Sequence, residues 1–215
     1  MSGGGLTTDG VITRTVADSA AFLDVLAKPW PGESYHAPRD PLLDSAGSYL
    51  EASKRAPGPL RIGLLLEPLN VESLDLHPEA EAAAKRMAAV LEGMGHVVEE
   101  AGRPFTADDW LAFMPLWTGS AAGIPLAEDD LPKVTELTRW LREEGMKLSA
   151  ADYSAAVNAV QTLTRKAANG WSQFDLILTP TLASPPVFPE DIVLPHGADD
   201  FEAQKRFTPW GVYGT

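Results

Sequence analysis

Cysteine is absent from the 215 residues. That removes a disulfide framework, a thiolate nucleophile and any thiolate metal site. Basic residues are scarce: 17 Lys and Arg stand against 30 Asp and Glu, giving a formal net charge of −13. They never run beyond adjacent pairs such as Lys54-Arg55, so no surface is equipped to neutralise phosphates, and nucleic acid or an anionic membrane is excluded as a partner. No apolar stretch approaches the length needed to cross a bilayer. Met1-Ser2-Gly3-Gly4-Gly5 shows no basic segment leading into an apolar run, so no secretory leader is visible and a cytoplasmic location is expected. The four histidines, His36, His77, His96 and His196, are far apart and lack ligand partners at helical spacing. No metal and no cofactor are expected.

What is present reads as an α/β chain, expected to form one domain over residues 1–215. Near its start lies Gly10-Val-Ile-Thr-Arg-Thr-Val-Ala-Asp-Ser-Ala-Ala-Phe-Leu-Asp-Val-Leu26. Thr15 and Asp18 are spaced as a reciprocal capping pair, and Val16, Ala20, Leu23 and Leu26/Ala27 form an inward stripe at helical period. Residues 29–41 are too rich in proline for regular structure, and Trp30 and Tyr35 are expected to pin them as an ordered loop. A short helix is expected over 42–56. Leu60–Leu66 reads as a buried parallel strand. Pro78 opens a helix carrying Ala83, Met87, Val90, Leu91 and Met94 inward, stopped by Gly95. A second strand at His96–Glu99 completes a strand–helix–strand unit.

Thr106 with Asp108 and Asp109 starts a further helix that Pro115 must kink or end. A loop over 119–131, a helix over 132–144 and a long helix from Ser149 to about Ser172 follow. Phe174–Pro180 is the third strand, and residues 198–205 suit a turn of helix.

Standard catalytic constellations fail on these residues. Gly119-Ser120-Ala-Ala-Gly123 follows a helix rather than a strand, so it is not a nucleophile elbow. Gly3-Gly4-Gly5 lacks the strand and the Lys-Ser/Thr of a phosphate loop. Glu128-Asp129-Asp130 reads as a solvated loop. Trp110, Phe113 and Trp117 share one helical face, which suits core packing before a pocket lining.

Three segments, in order, resemble the amidase signature family of serine amide hydrolases. Gly10–Leu26 resembles its G-x-(I/L)-T-R-T-V-x-D-x-A helix. Leu60-Arg-Ile-Gly-Leu64 with the Pro-Glu helix and Leu91–Glu99 resembles its middle portion. Phe174-Asp-Leu-Ile-Leu-Thr-Pro-Thr181 resembles its F-D-x-(L/I)-L-T-P-T strand and turn, and Trp30–Tyr35 and Phe207–Trp210 are similar to its bacterial members. The resemblance implies part of a mixed, mainly parallel sheet flanked by helices. It also implies hydrolysis of a carboxylic amide through an acyl-enzyme, using a lysine, a cis-serine and a nucleophilic serine.

In the family those three stand upstream of the opening helix, so no catalytic residue is expected in this chain, which reads as the family's C-terminal portion. Ser2 has no lysine in a matching place. The substrate-binding residues that the resemblance implies are Trp117, Thr179, Thr181, Trp210 and Tyr213. Thr179 and Thr181 are also favoured by their place at a strand's carboxyl end. The chain is thus expected to be inactive alone. The alternative is a non-catalytic module that keeps the pocket walls for a small-molecule amide. Unpaired sheet edges lead to an expected homo-oligomer.

Overall fold

The computed structural model describes residues 10–32 and 41–211. The chain divides into two compact units, Met1–Gly58 and Pro59–Thr215. In the first, Thr15 caps helix α1 (Val16–Leu26), its side chain accepting from the Asp18 N–H at 3.1 Å. The expected inward stripe is not buried. Ala20 is covered, but Val16 is 75% exposed and Leu23 and Leu26 are both more than 40% exposed.

The single helix expected over 42–56 is two, α2 (Pro41–Ala46) and α3 (Tyr49–Ala52). Gly47 breaks them apart with φ of +85°, a left-handed conformation open to glycine. Ser48 then caps α3. The Asp24 carboxylate accepts from the N–H groups of Tyr49 and Leu50 at 2.7 and 3.1 Å, tying α1 to α3. Trp30 is 70% exposed, while Tyr35 and most of the expected loop lie outside the described residues.

The second unit is built on three parallel strands, β1 (Arg61–Leu64), β2 (Val97–Glu100) and β3 (Leu176–Leu178), in the order β2-β1-β3. Ile62 faces Val98 on one side and Leu176 on the other. A β-carbon at Gly63 would stand within 3 Å of the Ala101, Ile177 and Phe174 side chains. Glycine at the sheet's centre therefore lets those groups close over it. Helix α4 (Pro78–Gly93) makes the crossover, with Pro78 in its first turn and the His77 side chain accepting from the Glu79 N–H. Gly95, at φ +95°, ends it as expected.

The face of α4 turned inward is not the expected one. Ala84 and Ala88 are buried, whereas Met87, Val90 and Met94 are 49%, 50% and 69% exposed. Two apolar stripes overlap on this helix, and the one made of methyl groups faces inward, where small residues permit close packing.

Thr106 and Asp109 form a full capping box at α5 (Ala107–Leu111). The helix begun at Thr106 ends at Leu111, ahead of Pro115 as expected, and Pro115 then sits in the first turn of a new helix, α6 (Met114–Ala122). The loop expected from residue 119 therefore begins only after Ala122. Pro132 lies inside a 3-10 helix (Glu128–Lys133), and Thr135 caps α7 (Glu136–Met146) three residues beyond the expected start. Ser149 and Asp152 box α8 (Ala150–Gly170) as expected. A short α9 (Pro189–Ile192) and α10 (Gly197–Phe207) complete the unit. Its core centres on Ile62, Leu65, Trp110, Phe113 and Leu116, each at most 3% exposed.

Candidate functional site

In a sheet of order 2-1-3 the chain leaves β1 for one neighbour and arrives at the other from a separate helix, so a crevice opens beyond the carboxyl ends of the strands. Leu65 N–H still donates to Leu178 O at 2.9 Å there. Beyond it, β3 runs into Thr179-Pro180-Thr181, and a groove of about 740 Å³ separates this segment from the first turns of α4. The segment is held from both sides. His77 N–H donates to Ala183 O, and Ala183 N–H donates to Phe207 O, each at 3.0 Å. The end of α10 and the cap of α4 thereby fix one wall against the other.

Thr179 and Thr181 line the groove together with Leu182, and Ala83 and Met87 line it from α4. Among the described residues neither threonine hydroxyl has a hydrogen-bond partner in the chain. Free hydroxyls can each donate to a carbonyl oxygen and accept from an N–H, which is what an amide group presents. Glu79 and Arg86 supply the charge of the lining. Neither was anticipated from the sequence, although helical spacing places both on the turns that carry Ala83 and Met87.

The other expected site residues stand elsewhere. Trp210 is buried, and its indole N–H donates to Glu67 O at 2.8 Å. With Leu69 N–H donating to Pro209 O at 3.1 Å, it secures the exit of β1. Trp117 is 38% exposed and its ring centre lies 6.3 Å from that of Phe113, which in turn stands 4.4 Å from Trp110. The Lys205 ammonium packs near the same cluster, 5.8 Å from the Trp110 ring centre and 2.7 Å from Glu202. Neither Trp117 nor Trp210 lines the groove, and Tyr213 lies outside the described residues.

Ser120, His77 and His96 are engaged in structural bonds. The Ser120 hydroxyl donates to Leu116 O at 2.8 Å within α6, a common helical back-bond. The Nδ1 atoms of His77 and His96 accept backbone N–H groups of Glu79 and Leu60. The Asp109 carboxyl is held below the usual carboxylate range by its hydrogen bond from Lys166 and then by that from the Thr106 backbone. Asp152 is lowered by the Ser149 hydroxyl and backbone. Both carboxyls serve helix starts outside the groove. Among the described residues no cluster of His, Asp and Glu is arranged to hold a metal ion.

A family model described as Amidase matches residues 3–212. The 6-aminohexanoate-cyclic-dimer hydrolase of Pseudomonas sp. (strain NK87) is 29% identical over 210 residues, covering 91% of this chain and 40% of that protein. A putative amidase of Synechocystis sp. is 29% identical over 181 residues, covering 82% of this chain and 32% of its own length. Among solved structures, a 6-aminohexanoate cyclic dimer hydrolase complexed with substrate matches with a TM-score of 0.67 at 26% identity, over 84% of this chain and 38% of that one. A bacterial aryl acylamidase of the amidase signature family shares the fold, at TM-score 0.58 and 24% identity over 83% of this chain and 37% of its own. The chain thus spans about two fifths of the length of the curated 6-aminohexanoate-cyclic-dimer hydrolases it matches.

Proposed function

The chain belongs to the amidase family, and from that membership we propose that its groove is one wall of a site for a small carboxylic amide. The family reaction converts an amide to an acid and ammonia or an amine by way of an acyl-enzyme. On this reading these 215 residues hold no counterpart of the family's lysine, cis-serine and nucleophilic serine. The chain then binds and orients the amide and does not itself form the acyl bond. The observation that carries it is the pair of unengaged hydroxyls, Thr179 and Thr181, on the lining of the groove at the carboxyl end of β3. Trp117, Trp210 and Tyr213 belong to the same proposal as substrate-binding residues, with Trp117 and Trp210 standing outside the groove.

A serine-reactive fluorophosphonate tests the inactive half of this reading. The purified chain should remain unlabelled, and a mapped covalent adduct on any serine overturns it. The groove also favours a second reading, a non-catalytic binding module, because its lining contains no activated nucleophile. Adding a polypeptide that carries the lysine and two serines separates the two: restored amide hydrolysis supports the enzyme portion, and binding without turnover supports the module.

Self-association is part of the proposal. Val97 on β2 and Leu176 on β3, the two outer strands, are 50% and 54% exposed, and apolar strand edges recruit further strands. Light scattering at micromolar concentration should show a dimer or larger; a stable monomer counts against it. The reading sets the protein in the cytoplasm. Among the described residues no helix is long and apolar enough to cross a membrane, and cell fractionation tests the location.

A further inference from the structure

Two basic residues stand side by side in α4 and meet different surroundings. Lys85 pairs with Glu81, one turn earlier, at 2.6 Å. Arg86 has Ala82, Ala83, Ala89 and Val90 at the positions three and four residues away, so the helix offers it no carboxylate. It turns onto the groove, whose opposite wall, residues 178–185, reads Leu-Thr-Pro-Thr-Leu-Ala-Ser-Pro and carries no charge. Glu79 is the acid among the lining residues, and it lies two helical turns away, about 10 Å along the axis. Among the described residues the Arg86 guanidinium has no ion-pair or hydrogen-bond partner. In a chain where acids outnumber bases 30 to 17, an unpaired guanidinium beside an apolar groove invites an anion from outside.

We propose that this groove takes linear amides that end in a carboxylate, and that Arg86 binds that carboxylate. The guanidinium presents a planar fork that matches two carboxylate oxygens at once. Glu79 repels the same group, so the ligand lies with its acid end toward Arg86. The methylene chain then crosses Met87 and Leu182, and the amide reaches the hydroxyls of Thr179 and Thr181. Arg86 thus selects among amides by their far end and takes no part in bond breaking. The proposal rests on the groove being a substrate wall.

Nitrogen-15 NMR of the full chain tests both levels, using 5-acetamidopentanoate and its neutral counterpart 5-acetamidopentanamide as probes. The acid should shift the resonances of Thr179, Thr181 and Met87 and bind about fivefold more tightly than the neutral amide, a modest ratio suited to an exposed ion pair. That preference should shrink at high salt. Arg86 is exposed, so R86Q should keep the spectrum of the fold, lose the preference and still bind the neutral probe. Equal binding of the two probes, or a preference that persists in R86Q, overturns the role of Arg86 and leaves the groove reading standing. Shifts from neither probe at tens of millimolar overturn both.

Discussion

Helices α4 and α7 both carry a glycine in their last turn, yet the two glycines stand in opposite circumstances. At Gly145 in α7 an added β-carbon would lie 2.0 Å from the backbone oxygen of Thr118, because α6 and α7 pack backbone against backbone there. At Gly93 in α4 nothing lies within 4 Å of that position. The α6–α7 contact is further fixed by Arg142, which donates to the carbonyls of Ala122 and Ile124 at 2.8 and 2.7 Å. Helix α4 instead rests on the methyl groups of Ala84 and Ala88 and leaves its larger side chains uncovered. The difference teaches that hydrophobicity alone does not say which residues hold a helix. What decides is how closely the partner approaches, and the smallest side chains mark the closest approach.

The sharpest way to break this comparison is to make one substitution in both helices. Gly145→Ala should destabilise by about 3 kcal/mol, since the obstacle is backbone and cannot swing aside. Gly93→Ala should be neutral or stabilise by about 0.5 kcal/mol, through helix propensity and a stiffer unfolded chain. Urea denaturation of the pair decides it, and equal effects would sink the contrast. A second pair probes the two faces of α4. Ala84→Leu should lose about 2 kcal/mol from overpacking, whereas Met87→Gln should stay within about 0.5 kcal/mol. Thermal unfolding that finds Met87→Gln the costlier change would restore the face expected from the sequence.

The smallest effect concerns the start of α5. Asp109 titrates below its unfolded value because Lys166 and the Thr106 backbone favour its charged form. Its contribution is therefore present above the unfolded carboxylate value, near pH 4, and is lost as pH falls through the depressed folded value. Asp109→Asn should lose about 0.5 kcal/mol at pH 7 and progressively less as pH falls below about 4, read from denaturant midpoints across that range.

Local chemistry was readable and tertiary choice was not. The capping pairs Thr106/Asp109 and Ser149/Asp152, Pro78 at a helix start and Gly95 at its end stand as their residue types require. Each acts within one turn of chain. The inward face of α4 was illegible because Ala83, Met87, Val90 and Met94 form as regular a stripe as Ala80, Ala84, Ala88 and Leu91, and only the sheet beneath chooses between them. The break at Gly47 carries a local signal, a glycine followed by Ser48 and Glu51 at the spacing of a new helix start. At the groove, Thr179 and Thr181 were legible as the end of a strand. Arg86 was legible in principle from its missing i±4 acids, and Trp210 could not be placed, because its partner Glu67 is 143 residues away.

Strand β1 also has a history in time. It gains β2 within about 40 residues of chain, but its other edge stays open until β3 arrives, with 114 residues between Arg61 and its partner Asp175. At ribosomal speeds of roughly 5–20 residues per second that interval is roughly 6–23 s. For that period the nascent chain carries a bare strand edge flanked by Ile62 and Leu64, the kind of edge to which chaperones and stray strands are drawn. The central position of β1, which organises the finished sheet, leaves one of its edges open until the last of the three described strands is made.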